Sequence, residues 1–163
     1  MAEEFSRFDL KILEQMQKDC SMSTTDLAEK VGLSQSPCWR RLQRLKEEGY
    51  ISKQVALLDR RKFGSSLYIF AYLKMATLTE KQRAEFLRNI EVIPEILECH
   101  TVFGEMDIVM KVMAQSLEWY QKFIFDTILK LPGVQDIQST VTLVELKSTT
   151  EIPLQGVKVS SQD

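Results

Sequence analysis

Apolar positions recur at helical spacing through the first 50 residues and at strand spacing through much of the remainder. Phe5, Phe8, Ile12, Leu13, Met16 and Cys20 form one helical stripe, with Ser6 placed to cap its start. A second helix begins after Ser23, where Ser23-Thr24-Thr25-Asp26 has the capping-box form. Leu27, Ala28 and Val31 give it one apolar face, and Gly32 stops it. A third begins after Ser34. Pro37 falls in its first turn, where a missing N–H costs nothing because that donor has no helical partner. Leu42 and Leu45 are expected to face inward with Trp39 or Cys38 one turn earlier, and Gly49 ends the helix. Residues 51–58 read as an extended apolar run. No Asn-Gly or Asp-Gly is present to turn a hairpin, so a single strand or linker is expected rather than a full wing.

The charged, then small and polar stretch 59–66 marks a linker. Beyond it the chain alternates. A strand is expected over 67–75 and a helix over 79–93, capped by Thr79, with Phe86, Leu87 and Ile90 inward and Pro94 as terminator. Strands over 96–103 and 107–114 flank a short turn at Gly104. A helix follows from Ser116 to Leu131, with Leu117, Tyr120, Phe123, Ile124, Thr127, Ile128 and Leu131 on one side. Pro132-Gly133 stops it, and residues 134–149 hold a last strand. The order is βαββαβ, the split pattern of ferredoxin-like folds. The fold class is therefore α+β: a three-helix, winged-helix-like helix-turn-helix domain over 1–58, a linker over 59–66, a ferredoxin-like domain over 67–153, and a polar, mobile tail over 154–163.

The strands are apolar or aromatic on both alternating sets, most clearly in Leu67-Tyr68-Ile69-Phe70-Ala71-Tyr72-Leu73. Two helices cover only one face of a four-stranded sheet. The other would leave an apolar patch of several hundred Å², which monomers rarely tolerate. A second copy packed sheet to sheet with two-fold symmetry resolves this, so a homodimer is expected.

Net charge is −2, but residues 34–62 carry eight basic and three acidic side chains, whereas the stretch from Phe63 onward carries nine basic and thirteen acidic. A basic region on an acidic chain suits a polyanion. Cys20, Cys38 and Cys99 are odd in number and widely spaced, and His100 is the single histidine. A disulfide framework and a structural zinc site within one chain are thereby disfavoured, leaving three buried or half-buried thiols as the reading. The acidic N-terminus lacks a secretory signal, and no apolar run reaches the roughly 18 residues of a membrane helix. A cytoplasmic protein with no membrane partner and no cofactor is expected. An enzyme is not expected: no Gly-rich phosphate loop, G-x-S-x-G or metal-ligand spacing occurs.

The chemistry concentrates in Ser34-Gln35-Ser36-Pro37-Cys38-Trp39-Arg40-Arg41-Leu42-Gln43-Arg44. The second helix of a helix-turn-helix enters the major groove, and its N-terminal residues reach base edges. Gln reads adenine and Arg reads guanine by bidentate bonds. Gln35, Ser36 and Arg40 are accordingly assigned to base edges, and Arg41 and Arg44 to phosphates or structural partners. Ser34 stands at a helix start that attracts phosphate. The competing reading is a three-helix protein-interaction module with an ordinary charged face.

The stretch GLSQSPCWRRLQRLKEEGYI resembles the recognition helix of the leucine-responsive regulatory protein/AsnC, or feast/famine, family of transcription regulators. Asp9-Leu10-Lys11-Ile12-Leu13, Leu27-Ala28-Glu29-Lys30-Val31, Ala56-Leu57-Leu58-Asp59, Glu98-Cys99-His100, Gly104-x-x-Asp107, Leu131-Pro132-Gly133-Val134 and Glu145-Leu146-Lys147 resemble it too, in order, over residues 8–153. The resemblance implies binding to double-stranded DNA, dimers joined through their sheets and often assembled into octamers, and amino-acid effectors held between dimers. It also implies an effector pocket that includes Gly104, Asp107, Leu117, Ser139, Thr140 and Thr142. Backbone donors near Gly104 suit a carboxylate and Asp107 suits an ammonium. Glu105 adds a second negative charge beside Asp107, and the apolar specificity positions are not those expected for leucine. The Pro-Cys-Trp run resembles members that respond to sulfur amino acids, and effector identity stays open.

Overall fold

The computed structural model describes residues 5–64 and 67–159. The chain divides into two compact units, Met1–Leu57 with Lys147–Asp163, and Leu58–Leu146.

In the first unit, α1 (Arg7–Lys18), α2 (Thr24–Val31) and α3 (Gln35–Glu47) pack around Ile12, Leu27, Ala28, Val31, Cys38, Leu42 and Leu45, all buried. Ser6 and Asp9 close a capping box on α1, and the Ser23 hydroxyl accepts from the Asp26 amide on α2. Gly32 ends α2 in the left-handed region at φ 78°, a conformation glycine adopts without a Cβ penalty, and so turns the chain into α3. Cys38, not Trp39, supplies the inward position one turn before Leu42: Cys38 is buried and Trp39 is 52% exposed. Residues 51–59 form no strand, so the expected alternative of a linker holds there and no hairpin wing follows α3.

The second unit carries β1 (Leu67–Met75), α4 (Glu80–Val92), β2 (Ile96–Thr101), β3 (Ile108–Ala114), α5 (Leu117–Asp126) and β4 (Val134–Val141). The sheet order is β2-β3-β1-β4 with every neighbouring pair antiparallel, the ferredoxin-like arrangement. Ile69, Ala71 and Leu73 of β1 and Met110, Val112 and Ala114 of β3 point to one face, where Phe86 of α4 and Tyr120 and Phe123 of α5 cover them. Burying such a side chain contributes roughly 1.5–3 kcal/mol. Tyr68, Phe70 and Tyr72 point to the other face, away from α4 and α5.

Several boundaries differ from the sequence expectation. The last strand ends at Val141, not Thr149. Once the Thr142 amide has bonded the Tyr68 carbonyl, β1 offers little further pairing. The last helix ends at Asp126 and tightens into a 3-10 turn over Ile128–Lys130. Positions three apart share a face in such a turn, and Ile128 and Leu131 are both buried. Leu87 and Leu117 are exposed rather than inward, at 60% and 52%. The stretch read as a linker over 59–66 holds a 3-10 turn at Arg60–Phe63 that belongs to the second unit; its Ser65 and Ser66 lie outside the described residues. By compactness alone the second unit runs to Leu146.

The stretch expected to be a mobile tail over 154–163 groups with the first unit as far as it is described; residues 160–163 lie outside the described residues. Gln17 on α1 donates to the Ile152 carbonyl and accepts from its amide, and Phe5 bridges Val159. These bonds satisfy backbone groups, and Leu154 and Val157 are partly covered. The tail borders a cleft of about 570 Å³ beside Leu13, Met16, Cys20 and Tyr50.

Gly133, just before β4, has φ 79°, and a Cβ there would sit 2.2 Å from Leu78 Cδ2 and 3.1 Å from its Cγ. Gly133→Ala is expected to destabilise the fold by about 1–3 kcal/mol, from backbone strain plus displacement of Leu78. A urea midpoint unchanged from the parent would contradict this.

Candidate functional site

The start of α3 presents Ser34, Gln35 and Ser36 to solvent, with Trp39 and Arg40 exposed one turn later. Burial of Cys38, Leu42 and Leu45 on the opposite side leaves these residues no other orientation. The Ser34 hydroxyl makes no cap bond, and the first-turn amides of a helix lack intrahelical acceptors. The helix therefore opens with a positive end flanked by a glutamine, a serine and an arginine, a combination suited to phosphates and base edges.

Arg41 and Arg44 face differently. Asp9 of α1 is 1% exposed, and its carboxylate meets Arg44 Nη2 at 2.7 Å and Arg41 Nη1 at 3.2 Å. Arg41 Nη1 also donates to Ser6 Oγ at 2.8 Å, and the Ser6 amide donates to Asp9 Oδ2 at 3.0 Å. Burial pushes the Asp9 carboxyl up, but bonds from Ser6 and the Arg44 guanidinium outweigh it and hold the group below its ordinary value. One carboxylate thus caps α1 and fixes α3 against it.

The residues assigned to the effector pocket occupy three places in the chain. Gly104 and Asp107 lie in the turn between β2 and β3. The Asp107 amide donates to the Leu73 carbonyl, its carboxylate accepts from the Met75 amide at 2.8 Å, and Lys74 Nζ stands 3.3 Å away. The Met75 amide and then Lys74 hold that carboxyl below the usual range. Ser139 points under the helices, 2.8 Å from the Tyr120 hydroxyl, whereas Thr140 points to the uncovered face. The Thr142 hydroxyl donates to the Tyr68 carbonyl at 2.7 Å, near the opposite end of β1 from Met75, about 23 Å away at 3.3 Å per residue. Leu117 follows β3, whose last residue pairs with Leu67 at that same far end. The single chain therefore brings Gly104 together with Asp107, places Thr142 and Leu117 at the other end of the sheet, and separates Ser139 from Thr140 by a face.

Two family models match the chain. The Lrp/AsnC ligand-binding domain covers residues 69–152, and a winged helix-turn-helix DNA-binding domain covers residues 5–52. The chain belongs to the Lrp/AsnC family. It is a DNA-binding transcription regulator of that type, with a helix-turn-helix domain and a ligand-binding domain. It is 33% identical to the DNA-binding transcriptional activator DecR of Escherichia coli K12 over 91% of this chain and 98% of that one. It is 32% identical to the leucine-responsive regulatory protein of the same strain over 91% of both. A solved Neisseria meningitidis transcriptional regulator in complex with L-Met superposes with a TM-score of 0.88 at 32% identity, covering 93% of this chain and 97% of that one.

Two contributors to this Lrp/AsnC architecture escaped sequence reading. Asp9 is the acid end of the α1–α3 clamp; its signal was a charge one turn before Ile12 on an otherwise apolar stripe. Lys74 sits on Asp107 at the end of a strand whose apolar neighbours gave no hint of it. Among the described residues no three or more of His, Cys, Asp and Glu gather to hold a metal ion, and no helix is long and apolar enough to cross a membrane. Cys38 is buried while Cys20 and Cys99 are half-buried, and burial raises the thiol pKa of Cys38 and Cys99.

Proposed function

We propose that this regulator is a cytoplasmic, non-enzymatic, amino-acid-responsive homodimer, or assembly of dimers up to an octamer, that reads duplex DNA with α3. The observation that carries the reading is the exposed N-terminal turn of α3, with Ser34, Gln35, Ser36 and Arg40 on one open side. Gln35, Ser36 and Arg40 meet base edges. Arg41 and Arg44 set the helix in place and reach phosphates from its flank. The unoccupied sheet face pairs two copies: Tyr68, Phe70 and Tyr72 lie there, and beyond β4 Leu143 and Leu146 are 95% and 94% exposed. Such apolar surface favours association.

The effector is an amino acid, as the L-Met complex of the Neisseria relative suggests. Gly104 and Asp107 take its polar end, and Leu117, Ser139, Thr140 and Thr142 contribute from other positions. An amino acid is far shorter than the distance from Asp107 to Thr142 within one chain. Different copies therefore supply the two groups, which ties ligand occupancy to assembly. An effector that binds one assembly better shifts the population of DNA-competent species.

A thermal-shift screen of the twenty amino acids, run beside light scattering, tests this. At least one amino acid is expected to raise the melting temperature, and the mass is expected to be an even multiple of 18.9 kDa at micromolar concentration. A single-chain mass, with no amino acid giving a shift, defeats the reading.

A further inference from the structure

We infer that Lys74 is a built-in competitor for the ammonium group of the effector, and so sets the effector concentration at which the regulator responds. This rests on Asp107 being part of the effector site, as proposed above. The Lys74 ammonium stands 3.3 Å from Asp107 Oδ2 and 3.4 Å from Oδ1, and donates to the Glu105 carbonyl at 2.8 Å. It therefore occupies the direction from which a ligand ammonium would approach that carboxylate. The Met75 amide also bonds the Asp107 carboxylate and fixes it without neutralising it.

Asp107 is the carboxylate against Lys74; the exposed Glu105 shares its turn, and Asp136 is the register partner of Lys74 on β4. With one cation already among them, a second ammonium gains less than it would at a bare acidic turn, because like charges a few ångströms apart repel. Lys74 and Asp107 side chains are 44% and 40% exposed, so the pair opens at modest cost. Lys74 thus acts as a tethered ligand mimic that an amino acid displaces, releasing the Glu105 carbonyl and with it the turn. The device discriminates by charge: it opposes ligands bearing an α-ammonium and leaves the recognition of a carboxylate or an apolar side chain untouched.

Calorimetric titration with L-methionine and L-leucine, and with their amine-free counterparts 4-(methylsulfanyl)butanoate and 4-methylpentanoate, tests the inference on wild type, Lys74→Met, Asp107→Asn and the double variant. Lys74→Met is expected to bind at least one of the amino acids about fivefold tighter, the factor matching the upper range for a half-exposed ion pair. The amine-free acids should gain nothing, and the gain should vanish in the Asp107→Asn background. Equal tightening for amino acids and amine-free acids would mean that the turn had merely loosened, and overturns the inference. So does unchanged amino-acid affinity in Lys74→Met, with the effector reading left standing. If neither amino acid nor any other of the twenty binds any variant, the effector reading itself falls and Lys74 falls with it.

Discussion

Asp9→Ala is expected to lower the stability of the N-terminal unit by about 2–3 kcal/mol. Removing one partner of a fully buried ion pair costs about 3–5 kcal/mol. Here Arg41 and Arg44 are 30% and 48% exposed, so water takes up part of their charge and the cost falls. Loss of the capping box with Ser6 adds about 1 kcal/mol. Asp9→Asn keeps the shape and one acceptor, and should lose less. The pH dependence has a definite sign. The folded-state pKa of Asp9 lies below its ordinary value of 3.8, so its contribution is fully present above that value and is lost as pH falls below it. The wild-type midpoint should therefore drop more steeply than that of Asp9→Asn below about pH 3.8. Urea titrations at pH 7 and pH 3 measure both effects, and a loss under 0.5 kcal/mol at pH 7, taken as a rough threshold, would show that the clamp is not structural.

Arg40→Ala is expected to weaken specific DNA binding by roughly 5–150-fold, the range for one bidentate arginine–guanine contact. The melting temperature should not move, because Arg40 is exposed and makes no ion pair among the described residues. Arg44→Ala should behave differently, losing stability together with binding because it also holds Asp9. Titrations on DNA from the region upstream of its own coding sequence, at several salt concentrations, separate the roles further. A base-reading Arg40 leaves the salt slope unchanged, whereas a phosphate contact lowers it by about 1. Wild-type affinity in Arg40→Ala would remove that residue from the DNA-reading set and move recognition elsewhere on α3.

The two variants illustrate which parts of the molecule were legible in advance. The exposure of Gln35, Ser36 and Arg40 could be read from the chain because their neighbours Cys38, Leu42 and Leu45 take up the buried side, leaving the polar positions to solvent. Asp9 could not be assigned in the same way. Its partners lie 32 and 35 positions away, and only the crossing of α1 and α3 brings them together.

Local chemistry alone determined the helix starts at Ser6, Ser23, Thr79 and Ser116, the stop at Gly32, and the βαββαβ order, because caps, turns and apolar periodicity act over a few residues. Tertiary packing decided the rest. The last strand ends where β1 stops supplying partners. The segment around Ile152 is held because Gln17 offers its backbone a donor and an acceptor, and Phe5 bridges Val159 farther on. Lys74 reaches Asp107 only because β1 ends beside the β2–β3 turn. Thr142 and Asp107 lie far apart because the sheet register carries them to opposite ends of β1. Each of these depends on a partner distant in the chain, whose position no local pattern encodes.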